Sequence, residues 1–115
     1  MHNDMNKDKD TEEQAALFRA LADPTRLKLV KLLCRQRDPS ALCVNALAYR
    51  LGISQSAISQ HLRVLKALKL VKGKRRGYRV HYFINGDEIN HLRTLISSAL
   101  SIEDEKTNNN NGEPT

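Results

Sequence analysis

The stretch LGISQSAISQHLRVLKALKLV, residues 51–71, decides the fold of this chain. Gly52 favours the left-handed conformation in which many helices end. Ser54 favours the start of a new helix, because its hydroxyl accepts a hydrogen bond from a free backbone N–H. A helix that ends before Gly52, a tight turn, and a new helix from Gln55 make a helix-turn-helix. The second helix of such a motif commonly lies in the major groove of DNA.

The helix after Ser54 is amphipathic on a wheel of about 100° per residue. Its apolar arc contains Ala57, Ile58, Leu62, Val64, Leu65 and Leu68. The opposite arc carries amides, hydroxyls and cations without an acidic residue, namely Gln55, Ser56, Ser59, Gln60, Arg63 and Lys66. Gln pairs with adenine, Arg with guanine and Ser with several base edges. The pattern therefore favours DNA reading over an ordinary solvated face, which usually mixes Lys with Glu.

The periodicity changes from helical to strand-like in VKGKRRGYRVHYFIN, residues 71–85. Apolar and aromatic residues alternate there with a period of two, which predicts a β-hairpin with its turn around residues 75–77. The cations of this hairpin are Lys74, Arg75, Arg76 and Arg79. A cationic hairpin directly after a reading helix is typical of a wing that follows the DNA backbone or enters the minor groove. The alternative is a charged surface hairpin without a partner.

The distribution of charge agrees with a nucleic-acid partner. The chain has 115 residues, with 19 Lys and Arg against 13 Asp and Glu, a formal net charge of +6. Residues 24–82 contain fourteen basic side chains and a single acid, Asp38. A basic centre between acidic ends is the electrostatic footprint expected of a protein that binds a polyanion.

The remaining segments complete a mainly α fold with five helices and a small β-hairpin, a winged helix-turn-helix. We expect a first helix over 11–22 capped by Thr11, and a second helix that follows the Asp23-Pro24 start signal. A third helix is expected over 42–51, the reading helix to about Leu70, and a last helix over about 87–100. The domain would span 11–101, between disordered tails at 1–10 and 102–115.

The apolar stripes of the first and last helices predict a homodimer, because no other predicted element covers them. The residues expected at this interface are Leu17, Phe18, Leu21, Ile89, Leu92, Ile96 and Ala99.

Several classes of protein are disfavoured. No apolar run approaches the roughly 18 residues of a membrane span, and the polar start of the chain lacks the apolar segment of a secretion signal, so we expect a cytoplasmic protein. Two cysteines do not make a disulfide scaffold. We find no phosphate-binding glycine loop, catalytic triad or paired carboxylates, and therefore expect neither an enzyme nor a cofactor.

Four segments together resemble the ArsR/SmtB family of transcriptional repressors. They are DPTRLKLVKLL (23–33), LCVNALA (42–48), the helix-turn-helix stretch (51–71) and GYRVHY (77–82). The likeness covers roughly residues 17–100. It implies a dimeric winged helix-turn-helix that binds operator DNA and usually releases it on sensing a signal, which in many members is a metal and in some is thiol chemistry.

The metal sites of that family are not intact in this sequence. One site uses a Cys-Val-Cys pair, which here reads Cys43-Val44-Asn45. A second site on the last helix uses Asp, His and Glu side chains, which by alignment fall on Gly86, Glu88, Ala99 and Ile102. We therefore expect no metal. Cys34 and Cys43 remain a candidate thiol sensor, but both lie on apolar stripes, and buried packing is the favoured interpretation.

Three histidines have alternative interpretations. His61 projects onto the apolar arc of the reading helix and is expected to pack in the core. His81 would be a phosphate neighbour or simply exposed, and His91 a surface residue or a dimer contact.

The resulting hypothesis is a homodimeric repressor that binds an inverted repeat in double-stranded DNA. Its expected contacts come from the reading helix and the wing, namely Ser54, Gln55, Ser56, Ser59, Gln60, Arg63, Lys74, Arg75, Arg76 and Arg79. The alternative is a winged-helix module that binds RNA or protein and has no preferred operator.

Overall fold

The computed structural model describes residues 2–37 and 42–101. Its elements are α1 (His2–Ala22), α2 (Pro24–Arg35), α3 (Val44–Leu51), α4 (Gln55–Ala67), β1 (Val71–Arg76), β2 (Arg79–Ile84) and α5 (Gly86–Leu100). Five helices and one antiparallel hairpin confirm the predicted winged helix-turn-helix. Within the described residues, no helix combines the length and apolar character that a membrane span requires.

The first helix is longer than the sequence predicted. It begins at His2, so the expected start at Thr11, with that residue as its cap, is wrong. Residues 2–10 are part of this helix, where the sequence predicted a disordered tail. Neither Gly nor Pro interrupts residues 2–22, and a helix that is already nucleated extends at little cost through Lys, Asp and Asn. The second predicted tail, 102–115, lies outside the described residues.

The start of α2 is capped as predicted. The carboxylate of Asp23 accepts hydrogen bonds from the backbone N–H of Thr25 at 2.9 Å and of Arg26 at 3.1 Å, and Pro24 occupies the first turn. The hydrogen bond from the N–H of Arg26 is the main cause that holds the pKa of Asp23 below its ordinary value, against the opposing effect of desolvation. The Arg26 guanidinium and the N–H of Thr25 lower the pKa further. The ionised cap therefore stabilises this helix start.

Arg26 joins three helices through its side chain. Its Nε donates to the backbone oxygen of Ala20 in α1 at 2.8 Å, and its Nη1 lies 3.3 Å from Nδ1 of His61 in α4. His61 is only half-buried at this junction and is not part of the hydrophobic core, so the expectation of a core residue is wrong: its ring lies at the edge of the apolar arc, beside the Arg26 guanidinium.

The turn of the helix-turn-helix has the predicted end and start signals. Gly52 adopts φ +68°, and its N–H donates to the oxygen of Ala48 at 2.8 Å. The hydroxyl of Ser54 accepts from the N–H of Ala57 at 3.1 Å, which caps α4. The preceding helix starts at Val44, two residues later than predicted, with Cys43 in the cap position.

The end of α4 comes earlier than predicted. The helix stops at Ala67, three residues before Leu70, because Lys69 adopts a left-handed conformation with φ 64°. Leu70 N–H then donates to the oxygen of Leu65 at 3.0 Å, and Lys69 N–H to the oxygen of Lys66 at 2.8 Å. This pair of bonds is a Schellman motif. It turns the chain into the hairpin and buries Leu65 and Leu70 together in the core.

The core is made by all five helices, the first residue of the hairpin and two residues of the connecting segments, Leu42 and Leu70. Its buried members are Leu17, Leu29, Val30, Leu33, Leu42, Leu47, Ala48, Ile58, Leu62, Leu65, Leu70, Val71, Leu92 and Leu95. Two of them, Leu17 and Leu92, were expected at a dimer interface. They are buried within the single chain, because α1 and α5 pack against each other in the same molecule.

Two polar contacts join α1 to α5 on the outside of this packing. Gln14 Nε2 donates to the oxygen of Leu95 at 3.4 Å, and His91 Nε2 lies 3.2 Å from a carboxylate oxygen of Glu13. His91 is therefore a surface residue with a partner on the neighbouring helix.

The hairpin has a tighter turn than the sequence predicted. The last paired residues are Arg76 and Arg79, so Gly77 and Tyr78 form a two-residue turn. The predicted turn at 75–77 contains Gly77 but starts two residues too early and ends one residue too early. Gly77 has φ +64° and Tyr78 does not have a positive φ, which fits a type II′ turn with Gly in its first central position.

Candidate DNA-binding surface

The polar face of α4 is exposed along its whole length. Gln55, Ser56, Ser59, Gln60 and Arg63 are all exposed, whereas Ile58, Leu62 and Leu65 on the opposite face are buried. The structure thus brings the predicted reading residues together on one solvent-facing surface. The hydroxyl of Ser54 already caps the helix, and it also lies 3.4 Å from the hydroxyl of Ser56.

The tip of the hairpin concentrates positive charge. Lys74, Arg75, Arg76 and Arg79 are all exposed, and Arg76 stands directly opposite Arg79 in the antiparallel pairing. Like charges at directly opposed positions destabilise a hairpin. An anion bound across the tip would offset this repulsion.

No described acidic residue balances this charge. Residues 24–37 and 42–82 contain no Asp or Glu, since Asp38 lies outside the described residues. The ion pair found in the described part of the chain, between Glu13 and His91, joins α1 to α5 away from the reading helix and the hairpin. The cations on α4 and on the hairpin are therefore available to an external anion.

His81 does not lie where the sequence predicted. Its side chain is only 7% exposed, and its Nδ1 is buried without a hydrogen-bond partner. The prediction of an exposed residue or phosphate neighbour is wrong, because residues 42 and 43 pair with the edge of β2 that β1 leaves free, and residue 43 forms a bridge with residue 81. The pairing joins residues about 40 positions apart, and the alternation within residues 78–84 does not indicate it.

The two cysteines occupy different environments. Cys34 is exposed near the end of α2, and Cys43 is buried at the start of α3. Both are free thiols. Burial was expected for both, and it is wrong for Cys34 because the core side of α2 is taken by Leu29, Val30 and Leu33. The described residues contain no group of three or more His, Cys, Asp or Glu side chains placed to hold a metal ion.

Three exposed polar residues next to the reading helix were not predicted as contacts. Asn45 and Tyr49 lie on the outer face of α3, and Tyr78 lies in the hairpin turn. Tyr49 is 88% exposed and Tyr78 fully so. The apolar stripe of this helix consists of Cys43, Leu47 and Leu51, spaced four residues apart. Tyr49 does not belong to that stripe, and this is the sequence signal that indicates a surface residue.

Comparison with known proteins agrees with this architecture. The family model described as "Bacterial regulatory protein, arsR family" matches residues 23–72, which contain α2, α3 and α4. A transcriptional repressor SmtB homolog from Synechocystis is 38% identical over 93 residues, which cover 81% of this chain and 67% of that protein. The chain belongs to the ArsR family.

Solved structures of ArsR-like regulators have the same fold. NolR from Sinorhizobium fredii is 31% identical with a TM-score of 0.66, and the match covers 85% of this chain and 94% of that one. The homodimeric winged helix-turn-helix DNA-binding domain of a possible ArsR-family regulator from Mycobacterium bovis is 29% identical with a TM-score of 0.64. That match covers 81% of this chain and 82% of the other. The ArsR family is one of transcriptional regulators, and the residues that match its model include α4 of the surface described above.

Proposed function

We propose that this ArsR-family protein is a transcriptional repressor that binds an inverted repeat in double-stranded DNA as a homodimer. The observation that carries the proposal is the continuous exposed surface formed by α4 and the hairpin. It presents amides, hydroxyls and cations without a described acidic residue. Such a surface suits the edges of bases and the phosphates beside them.

The two parts of this surface have different roles in the proposal. Gln55, Ser56, Ser59, Gln60 and Arg63 face the base edges or nearby phosphates and select the sequence. Lys74, Arg75, Arg76 and Arg79 contact phosphates along the backbone or in the minor groove. Phosphate contacts give affinity that falls steeply with salt, because each one releases counterions from the duplex.

The dimer is proposed from the apolar residues that α1 and α5 leave uncovered. Phe18 is 41% exposed and Leu100 is 71% exposed. Leu21, Ile89 and Ile96 are half-buried, and Ala99 is exposed. The homodimeric Mycobacterium bovis relative supports the same assembly. In a two-fold dimer the reading helices would stand about 34 Å apart or a multiple of it, which matches half-sites on one side of the duplex.

Release of the DNA is proposed to follow chemistry at a thiol, with Cys34 as the accessible group and Cys43 as the structural one. Cys43 lies at the junction of α3 and the hairpin, so its modification would separate the two parts of the DNA-binding surface. The test is DNA binding with oxidant and reductant by the wild type, Cys34→Ser and Cys43→Ser. An oxidant response that both variants retain contradicts the thiol proposal and leaves the DNA-binding proposal intact.

The function itself is tested by selecting duplexes from a random pool with the purified wild-type protein. The expected result is one enriched inverted repeat, bound by two protomers and at least a thousandfold more tightly than a scrambled duplex, since specific regulators exceed their non-specific binding by roughly that factor or more. A pool that stays random, or equal binding to RNA, contradicts the proposal and favours a winged-helix module without an operator.

A further inference from the structure

A groove joins the hairpin to the outer face of α3 and adjoins the residues assigned above. It consists of two adjoining clefts of about 250 and 690 Å³ that share Asn45 and Gln55 among their lining residues. The first cleft reaches Tyr78 and Arg79 on the hairpin, and the second reaches Tyr49 on α3. We call this feature the junction groove.

The junction groove presents neutral hydrogen-bond donors. Tyr49 and Tyr78, at its two ends, are nearly or fully exposed and contribute almost nothing to the core. Asn45 lies four residues before Tyr49 and therefore on the same face of α3. Arg79 is the single cation among the lining residues, and no acidic residue lines either cleft. Tyrosine hydroxyls and asparagine amides are common donors to DNA phosphates.

The walls of the groove are held together by backbone contacts. Tyr82 N–H donates to the oxygen of Leu42 at 3.1 Å, and residues 43 and 81 form a bridge beside it. The hairpin is thus attached to the segment that leads into α3. A groove fixed in this way loses little conformational freedom when a ligand enters it.

We propose that the junction groove seats one strand of the DNA backbone, with Tyr49, Asn45 and Tyr78 donating hydrogen bonds to phosphate oxygens. The inference rests on the proposed function, because it places α4 in the major groove. The first helix of a helix-turn-helix crosses the backbone in that arrangement, and here the first helix is α3. An acidic protein segment fits less well, since the groove shares Gln55 and Arg79 with the DNA-binding surface.

The neutrality of the three donors gives the inference its own signature. The loss of one Lys or Arg contact to a phosphate reduces the slope of log K against log salt by about 0.9. A neutral hydroxyl or amide that binds a phosphate releases no counterion, so the loss of such a contact leaves the salt dependence unchanged. Neutral phosphate contacts also carry no sequence information. Their loss should weaken the selected and scrambled duplexes by the same factor.

The experiment measures fluorescence anisotropy of the selected duplex and its scrambled form with the full-length wild type, Tyr49→Phe/Tyr78→Phe and Asn45→Ala. Each titration is repeated at several salt concentrations. Asn90→Ala is the matched control, because Asn90 is also an exposed helical asparagine but lies on α5. The double variant should lose at least about tenfold in affinity for both duplexes, since a single hydrogen bond to a charged group already contributes roughly that factor. Asn45→Ala should lose a smaller factor on both, with unchanged salt dependence, and Asn90→Ala should bind like the wild type.

Circular dichroism identifies variants that retain the fold. Folded variants that bind both duplexes as tightly as the wild type overturn the inference and leave the proposed function standing. A loss confined to the selected duplex, or a reduced salt dependence, also overturns it. Poly-glutamate is added as a competitor of the duplex. If the variants keep their DNA affinity but poly-glutamate no longer displaces the duplex from them, the groove binds an acidic protein segment instead of DNA. A wild type that prefers no duplex contradicts the proposed function first, and the inference with it.

Discussion

The backbone N–H of Tyr82 lies 3.1 Å from the carbonyl oxygen of Leu42, which fastens the second strand of the hairpin to the chain before α3. A second contact at the same place comes from Gln36, whose Nε2 donates to the oxygen of Tyr82 at 2.9 Å. These two bonds attach the hairpin to the end of α2 and to the segment that leads into the helix-turn-helix. A protein that reads bases with the helix-turn-helix and holds phosphates with the hairpin requires such an attachment.

Gln60 is predicted to contribute to sequence selection. Gln60→Ala removes an exposed amide from the centre of the polar face of α4 without touching the core. Affinity for the selected duplex should fall by about tenfold, in the range of one bidentate base contact, and affinity for a scrambled duplex should change little. Anisotropy titrations of both duplexes measure the two losses. Equal losses would mean that Gln60 contacts the backbone instead of a base.

Arg76 is predicted to bind phosphate. Arg76→Ala should weaken all duplexes alike and reduce the slope of log K against log salt by about 0.9, because one counterion-releasing contact is lost. Arg93→Ala, which removes an exposed cation from α5, is the control and should keep the slope. An unchanged slope for Arg76→Ala would remove this residue from the proposed wing contacts.

The helix-turn-helix could be predicted closely from sequence because its signals are local. Gly52, Ser54 and Asp23 act within a few residues of themselves, and each has the predicted conformation or cap bond. The period-two alternation of apolar and polar residues in 78–84 also predicted the hairpin correctly.

The errors concern contacts between distant segments or weak local signals. The burial of His81 depends on Leu42 and Cys43, about 40 positions earlier, whose pairing with β2 leaves no periodic signal. The packing of Leu17 and Leu92 within one chain competes with packing across a dimer, and both arrangements satisfy the same apolar stripes. Lys69 ends α4 in the left-handed conformation, which is usually found at Gly or Asn, so no residue in the sequence indicates this helix end.

Lys69 is predicted to cost stability. A non-glycine residue in the left-handed region is disfavoured by about 1–2 kcal/mol. Replacement by glycine removes this cost, but glycine also increases the conformational entropy of the unfolded chain, which offsets part of the gain. Lys69→Gly should therefore raise the free energy of unfolding by up to about 1 kcal/mol. Gly52→Ala should lower the free energy of unfolding. Gly52 has φ +68°, a conformation that strains alanine even though the space around its Cβ position is open.

Chemical denaturation measures both changes. Gly86→Ala is the control, because Gly86 has an ordinary φ, an open Cβ position and a place in the first turn of α5. It should be neutral or slightly stabilising. A Lys69→Gly variant that is clearly less stable than the wild type would contradict the described Schellman motif.

The Asp23 cap is predicted to make stability depend on pH in the acid range. The folded pKa of Asp23 lies below its ordinary value, chiefly because the N–H of Arg26 donates to the carboxylate. The stabilisation is therefore complete above the unfolded pKa of about 3.9 and is lost as the pH falls through the lower folded value.

Thermal unfolding of Asp23→Ala and the wild type checks this dependence. The variant should have a lower Tm at neutral pH, and the difference in Tm should shrink below about pH 4. Asp23→Asn should retain part of the cap, since Asn is also a favourable N-cap residue. A difference in Tm that stays constant down to pH 2 would argue against the charged cap.

Phe18 is predicted to lie in the dimer interface. Phe18→Glu should shift the protein from dimer to monomer in sedimentation at micromolar concentration. Leu27→Glu is a matched control, because both side chains are 41% exposed and Leu27 lies on α2. A wild type that sediments as a monomer, or two variants that dissociate equally, would contradict an interface built from α1 and α5.

The central claim is that the face of α4 selects a base sequence while the cationic hairpin supplies salt-dependent affinity. The most direct measurement is the affinity of the wild type for the selected and the scrambled duplex over roughly 50 to 200 mM salt. The claim predicts that both affinities fall steeply with salt and that the selected duplex stays strongly preferred throughout. Equal affinities for the two duplexes at every salt concentration would contradict it.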